Sequence, residues 1–182
     1  MPHRFAALAL LTFMLAACGP ANAPVDTSQS ASTADTVLAP SPDATFLNRA
    51  AMFENFEIQA ATMAQAQAQA PAVKTYAAAE LAAHHQALAQ LNAAAAAAHM
   101  SAPAADLDDN YAAYLDMLRR AQGAAFDSTY ASQQALAYIN VGGTYSTYLG
   151  VASDGPLKSY AAARAPVLQQ AVAAARRLGS GN

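Results

Sequence analysis

From residue 43 onward, apolar residues return every three to four positions, and no stretch alternates convincingly with period two. One stripe runs Phe46, Ala50, Phe53, Glu57, Ala61, Ala64 and Ala68; a second runs Val73, Ala77, Leu81, His84, Leu88, Leu91 and Ala95. A third joins Phe126, Tyr130, Gln134, Tyr138, Val141, Tyr145 and Tyr148, and a fourth joins Leu157, Ala161, Arg164, Leu168, Ala171, Ala175 and Leu178. The stripes predict helices at about 43–69, 72–99, 107–121 running into 124–151, and 156–178. Four long amphipathic faces separated by short breaks predict an all-α fold, an antiparallel four-helix bundle.

The punctuation fits these boundaries. Ser41-Pro42-Asp43 offers a cap and a first-turn proline, Pro71 restarts the chain, Pro103 lies in the next break and Asp154-Gly155-Pro156 makes the last. Two features interrupt the pattern. Gly142-Gly143 should weaken the third long helix by about 1 kcal/mol per glycine, with a kink or thin spot expected there. Pro166 cannot donate to the Ala162 carbonyl, so a kinked fourth helix is expected.

Composition changes the picture at the N-terminus. Much of the 55% hydrophobic content is alanine, which favours helix but buries little area. Nine basic against 12 acidic residues leave no cationic surface for nucleic acid. His3 and Arg4 precede an apolar run, Phe5 to Leu15, too short for an ordinary membrane-spanning helix. The segment that follows, Leu15-Ala16-Ala17-Cys18-Gly19, resembles the lipobox of bacterial lipoproteins, which implies cleavage before Cys18 and lipidation of its thiol. Cys18 is the only cysteine, so no intrachain disulfide can form. Residues 1–17 therefore read as a lipoprotein signal peptide, residues 18–42 as a lipidated cysteine with a flexible polar tether, and residues 43–182 as the helical domain. Loss of Arg4 with the signal leaves eight basic against 12 acidic residues, a net charge of −4. Gly19 after the cysteine suits an outer-membrane lipoprotein facing the periplasm, with the membrane as its one named partner.

The candidate chemistry lies in "ELAAHHQAL", residues 80–88. His84 falls on the apolar stripe of its helix, and His85 lies about 100° away around the axis. Glu57 occupies the equivalent stripe of the first helix, and burial obliges each to find a polar partner. The stripes supply Tyr138 and Arg164 as further members, so Glu57, His84, Tyr138 and Arg164 are expected as a core polar cluster that fixes helix register. Glu57 is expected opposite His84, whereas His85 and His99 are expected on the surface. A metal site built on Glu57 and His84 is the alternative; it lacks the Glu-x-x-His pairs of di-iron bundles and three assured ligands. No cofactor is called for. Asp106, Asp108 and Asp109 lack the glycine and distal glutamate of a calcium loop and read as an acidic helix start. Nucleophile and phosphate-cradling motifs are lacking, so catalysis is not expected.

"DATFLNRAAMFENFEIQAATMAQAQAQAPAVKTYA", His84, "GAAFDSTY" and "PLKSYAAARAPVLQQAVAAARRL" resemble the bacterial family called domain of unknown function 4142, over roughly residues 43–178. The most specific pieces are Phe46-Leu47 with Glu57, Phe126-Asp127-x-x-Tyr130, and Pro166-x-Leu168. The resemblance implies a ferritin-like bundle in the cell envelope, with no established catalytic activity. It also implies a first-helix glutamate, here Glu57, and histidines at positions held here by His84, Tyr138 and Ala171, so two of the three differ. The aspartate that often precedes the second-helix histidine is Ala83 here. The expectation is a lipid-anchored envelope protein acting by binding or scaffolding, with metal binding through Glu57 and His84 as the alternative.

Overall fold

A computed structural model of the chain describes residues 39–104 and 106–180. The signal peptide, Cys18 and the tether up to residue 38 lie outside the described residues. The described chain is all-helical, with five helices and no strand: α1 (Pro42–Gln67), α2 (Pro71–Ala97), α3 (Asp109–Arg120), α4 (Gly123–Val151) and α5 (Pro156–Ser180). They form a helical bundle in which α1 packs on α2, α4 and α3, while α5 packs on α4 and α2.

The helix ends have local causes. Ser41 Oγ accepts the Ala44 N–H at 3.1 Å, and Pro42 occupies the first turn, where no donor is missed. At the end of α2, His99 turns into the left-handed region with φ 56°, and Met100 N–H reaches back to the Ala95 carbonyl at 2.9 Å. That is a Schellman-type stop, a place where an exposed histidine is tolerated. Asp108 Oδ1 caps α3 by accepting the Tyr111 N–H at 2.9 Å, the role its acidic neighbourhood suggested.

The expected stretches 107–121 and 124–151 are two separate helices, α3 and α4, parted at Ala121-Gln122, and Gly123 starts α4 with φ +59°. A side chain at 123 would be strained by that backbone, so the glycine makes the break. Neither Gly142-Gly143 nor Pro166 ends its helix: α4 and α5 both run helical through those positions. Neighbouring turns continue on each side, so packing outweighs the local penalty.

All seven members of the first stripe are buried, as are all seven of the third. Alanines at 50, 51, 60, 61 and 64 bury with no residual exposure and bring backbones close. Aromatic rings fill what alanine leaves. Phe46 stacks on Tyr148 with centroids 4.0 Å apart and meets Tyr145 edge-on at 4.9 Å. Phe56 stacks on Tyr111 of α3 at 4.7 Å, which with buried Leu115 and Leu118 holds the short helix against the bundle.

Candidate functional site: a buried carboxylate, histidine and arginine cluster

At mid-height of α2 the core turns ionic. His84 is fully buried, with Nδ1 2.5 Å from Glu54 Oε2, and with Nε2 3.2 Å from Glu80 Oε2 and 2.8 Å from Tyr138 Oη. The Tyr138 hydroxyl also donates to Glu80 Oε2. Arg164, from α5, adds a guanidinium 3.5 Å from Glu54 Oε2. Phe53 presses edge-on against both His84 and Tyr138, with centroids 5.4 Å away in each case. Four helices therefore meet through side chains at one level: Glu54 from α1, Glu80 and His84 from α2, Tyr138 from α4 and Arg164 from α5.

Glu57 lies beside this network rather than in it. Its Oε2 accepts from Gln134 Nε2 at 2.5 Å, and its Oε1 is buried without a partner. The expected apposition of Glu57 to His84 is thus corrected: the carboxylate against the imidazole is Glu54, one helical turn earlier. The reason is angular. Glu54 lies on the flank of the α1 stripe next to Leu47 and Ala51, facing α2, while Glu57 faces α4. Tyr138 and Arg164 do join His84's network, through direct contact and through Glu54 respectively. His85 points outward and is exposed, as is His99.

Electrostatics follow from burial and pairing. Burial dominates at Glu57 and raises its pKa from 4.5 to about 8, the neighbouring His84 charge and the Gln134 hydrogen bond only partly opposing it. The neutral acid fits the geometry, since Gln134 donates to Oε2 and Oε1 is left to carry the proton. At His84 burial works against the charge, but hydrogen bonds to Glu54 and Glu80 outweigh it and hold the pKa at about 9. At Glu80 burial is again the largest influence, yet hydrogen bonds from His84 and Tyr138 overcome it and lower the pKa below 4.5. The cations His84 and Arg164 both face the carboxyl group of Glu54, His84 also faces Glu80, and Glu57 is held neutral. A partner for each cation avoids the penalty of an unpaired buried charge.

Sequence reasoning missed Glu54 and did not assign Gln134 a role. The signal for Glu54 was the second apolar line, Leu47, Ala51 and Glu54, at steps of four and three. Among the described residues no three His, Cys, Asp or Glu side chains converge as a metal centre, and Glu57 and His84 share no direct contact.

Surface clefts touch the cluster at Tyr138 and, in one of about 310 Å³ between α2 and α5, at Arg164. One of about 500 Å³ between α1 and α4 is bordered by Phe46, Arg49, Gly143, Thr144 and Tyr148. Another of about 630 Å³, reaching α3, shares Arg49 and Thr144 and adds Asp108, Tyr111 and Tyr114. A fourth of about 350 Å³ between α4 and α5 is bordered by Gly142, Ser146, Leu168 and Gln169, with Tyr138 in its wall.

The model of a family described as Domain of unknown function (DUF4142) matches residues 27–178. The chain belongs to the DUF4142 family. No curated protein and no solved structure matches it. The DUF4142 match begins before α1 and takes in all but the last residues of α5. The motif Phe126-Asp127-x-x-Tyr130 that carried the resemblance has a structural role in this DUF4142 chain. Phe126 and Tyr130 are buried with parallel rings, and Asp127 accepts the N–H groups of Gln69 and Ala70 at 3.0 and 2.8 Å. One carboxylate thereby satisfies two backbone donors in the link between α1 and α2. Of the two positions where the resemblance implied histidine, Tyr138 still touches His84, whereas Ala171 is half-buried with no polar group to offer.

Proposed function

We propose that this chain is a lipid-anchored cell-envelope protein that acts by binding rather than by catalysis. Its domain is then an antiparallel, ferritin-like four-helix bundle of α1, α2, α4 and α5, with α3 as a flanking helix. The closed ring of packing, α1 on α2, α2 on α5, α5 on α4 and α4 on α1, supports that reading, as do the short α1–α2 and α4–α5 links. The anchor rests on Leu15-Ala16-Ala17-Cys18-Gly19, which follows its apolar run without a gap.

The observation that carries the binding reading is the placement of ionisable groups. Glu54, Glu57 and His84 have no exposed surface, and the imidazole has a partner at each nitrogen. The four clefts are bordered largely by neutral side chains, with Arg49, Asp108 and Arg164 as their charges. A general acid or base needs contact with a substrate, and Glu54, Glu57 and His84 border none of these clefts. Membrane fractionation of the parent and Cys18→Ala, with mass spectrometry of the N-terminus, tests the anchor. Acyl chains on Cys18 and release of the variant to the soluble fraction are expected; equal membrane retention without acylation overturns the reading.

A further inference from the structure

We propose that Glu80, His84 and Tyr138 form a binding site for a hard transition-metal cation, ferric iron above all, with Glu54 as the carboxylate that orients the imidazole. The proposal rests on the binding reading, for which it names a ligand, and does not depend on the anchor.

Three donor atoms already meet at one point. His84 Nε2 lies 3.2 Å from Glu80 Oε2 and 2.8 Å from Tyr138 Oη, and those two oxygens are themselves in hydrogen-bond contact. Ligands on an ion with bonds of about 2 Å stand roughly 3 Å apart, so the trio needs little rearrangement to share one. The other imidazole nitrogen is held by Glu54 Oε2 at 2.5 Å. A histidine that ligates a metal through one nitrogen while donating the other N–H to a carboxylate is the common arrangement in metal proteins. Here it is built into the core between α1 and α2.

Two more observations point the same way. The cluster has a surplus acceptor: Glu54 Oε1 is buried without a partner. Such an oxygen is costly to leave bare and favours added positive charge. Glu80 is also the one carboxylate of the cluster with solvent access, at 15% exposure, so an ion has a way in beside it. Tyr76 stands next to Glu80, with its hydroxyl 3.4 Å from Gln134 Oε1, and offers a fourth oxygen.

The donor set selects the ion. No third carboxylate or imidazole converges here, so the phenol of Tyr138 has to complete the site. Phenolate and carboxylate are hard oxygen donors and imidazole suits iron, whereas no thiol or thioether contributes. On binding, Fe³⁺ displaces the proton on His84 Nε2 and the proton on Tyr138 Oη, and both leave to solvent. The Nδ1–H bond to Glu54 stays, and iron remains ferric throughout.

The full chain, purified in detergent without a polyhistidine tag, is incubated with ferric nitrilotriacetate, desalted, and assayed for iron and visible absorption. Expected is one iron per chain with a tyrosinate-to-iron charge-transfer band. Tyr138→Phe, which keeps the ring packing, should lose both the band and the iron, and Glu54→Gln should weaken retention by about ten- to a hundredfold. Circular dichroism confirms that each variant is folded, and Gln134→Leu controls for nonspecific loosening of the core. No retained iron in the parent overturns the proposal, and so does iron held equally well by Tyr138→Phe. Parallel incubation with Zn²⁺ distinguishes the ion: retention of zinc in preference to iron overturns the ferric assignment. Membrane fractionation is unaffected by any of these outcomes, so failure of this site and failure of the anchor are separable.

Discussion

Glu57 offers a quantitative test of the buried cluster, through pH. Its pKa is raised from 4.5 to about 8 and that of His84 from 6.5 to about 9. Both groups hold a proton in the folded chain that the unfolded chain has released. For each, the stability contribution is complete below the unfolded pKa and is lost as pH rises through the folded one. Between about pH 5 and 6 only Glu57 differs between the states, and stability should fall by about 1.4 kcal/mol per pH unit. Between about pH 7 and 8 both differ, and the slope should approach about 2.7 kcal/mol per unit. Glu80 works the other way: its lowered pKa stabilises above 4.5 and is lost on acidification, so the optimum lies on the mildly acidic side of neutrality. The groups facing Glu57 are His84 and Glu80 from α2, Glu54 from α1, Tyr130, Gln134 and Tyr138 from α4, and Tyr111 from α3. Glu57→Gln is the informative perturbation, because it has the shape of the neutral acid and can still accept from Gln134. Urea titrations followed by far-UV circular dichroism should place it close to the parent at about pH 5, and roughly 3 kcal/mol ahead at about pH 7.5. Its slope between pH 7 and 8 should be half the parental one. A parental curve that is flat from pH 5 to 8, or a variant curve parallel to it, refutes the account of a proton held on Glu57.

Other expectations can be measured the same way. His84→Ala removes the nearest partner of Glu54, leaving it only Arg164 at 3.5 Å, and should cost roughly 3–5 kcal/mol, while exposed His85→Ala should leave the melt unchanged. Asp127→Ala unbinds the Gln69 and Ala70 N–H groups and should cost roughly 1.5–3 kcal/mol in denaturant titration; no loss would deny the clamp its role. Gly143→Ala meets no atom within 4 Å, so helix propensity alone should raise stability by about 1 kcal/mol, visible as a higher Tm.

The sequence made some of this legible and left the rest hidden, for reasons of period and angle. Stripes at three- and four-residue steps located the long helices to within a few residues, because one buried face per helix is what that period encodes. His84 could be assigned inward and His85 outward from the same angular argument. The choice between Glu54 and Glu57 as partner of His84 was not available, since three residues on a helix subtend only about 60° and both flank one broad buried face. The sequence left residues 122–123 outside both helical stretches, at the observed break, but the left-handed backbone of Gly123 that makes it was not legible.

The long connection from α2 to α3 divides the chain into two hairpin-like halves, and the cluster crosses that division. Glu54, Glu57, Glu80 and His84 all precede it, while Tyr138, Gln134 and Arg164 follow. The first half alone thus sets the carboxyl groups of Glu54 and Glu80 against one imidazolium, with Glu57 neutral, and the second cation, Arg164, belongs to the other half. Neither half is electrically complete. Cut within residues 101–104, the two fragments should copurify when expressed together, whereas the first should fail to fold when expressed by itself. The charges that look like an internal detail of one domain then act as the password by which each half recognises the other during assembly.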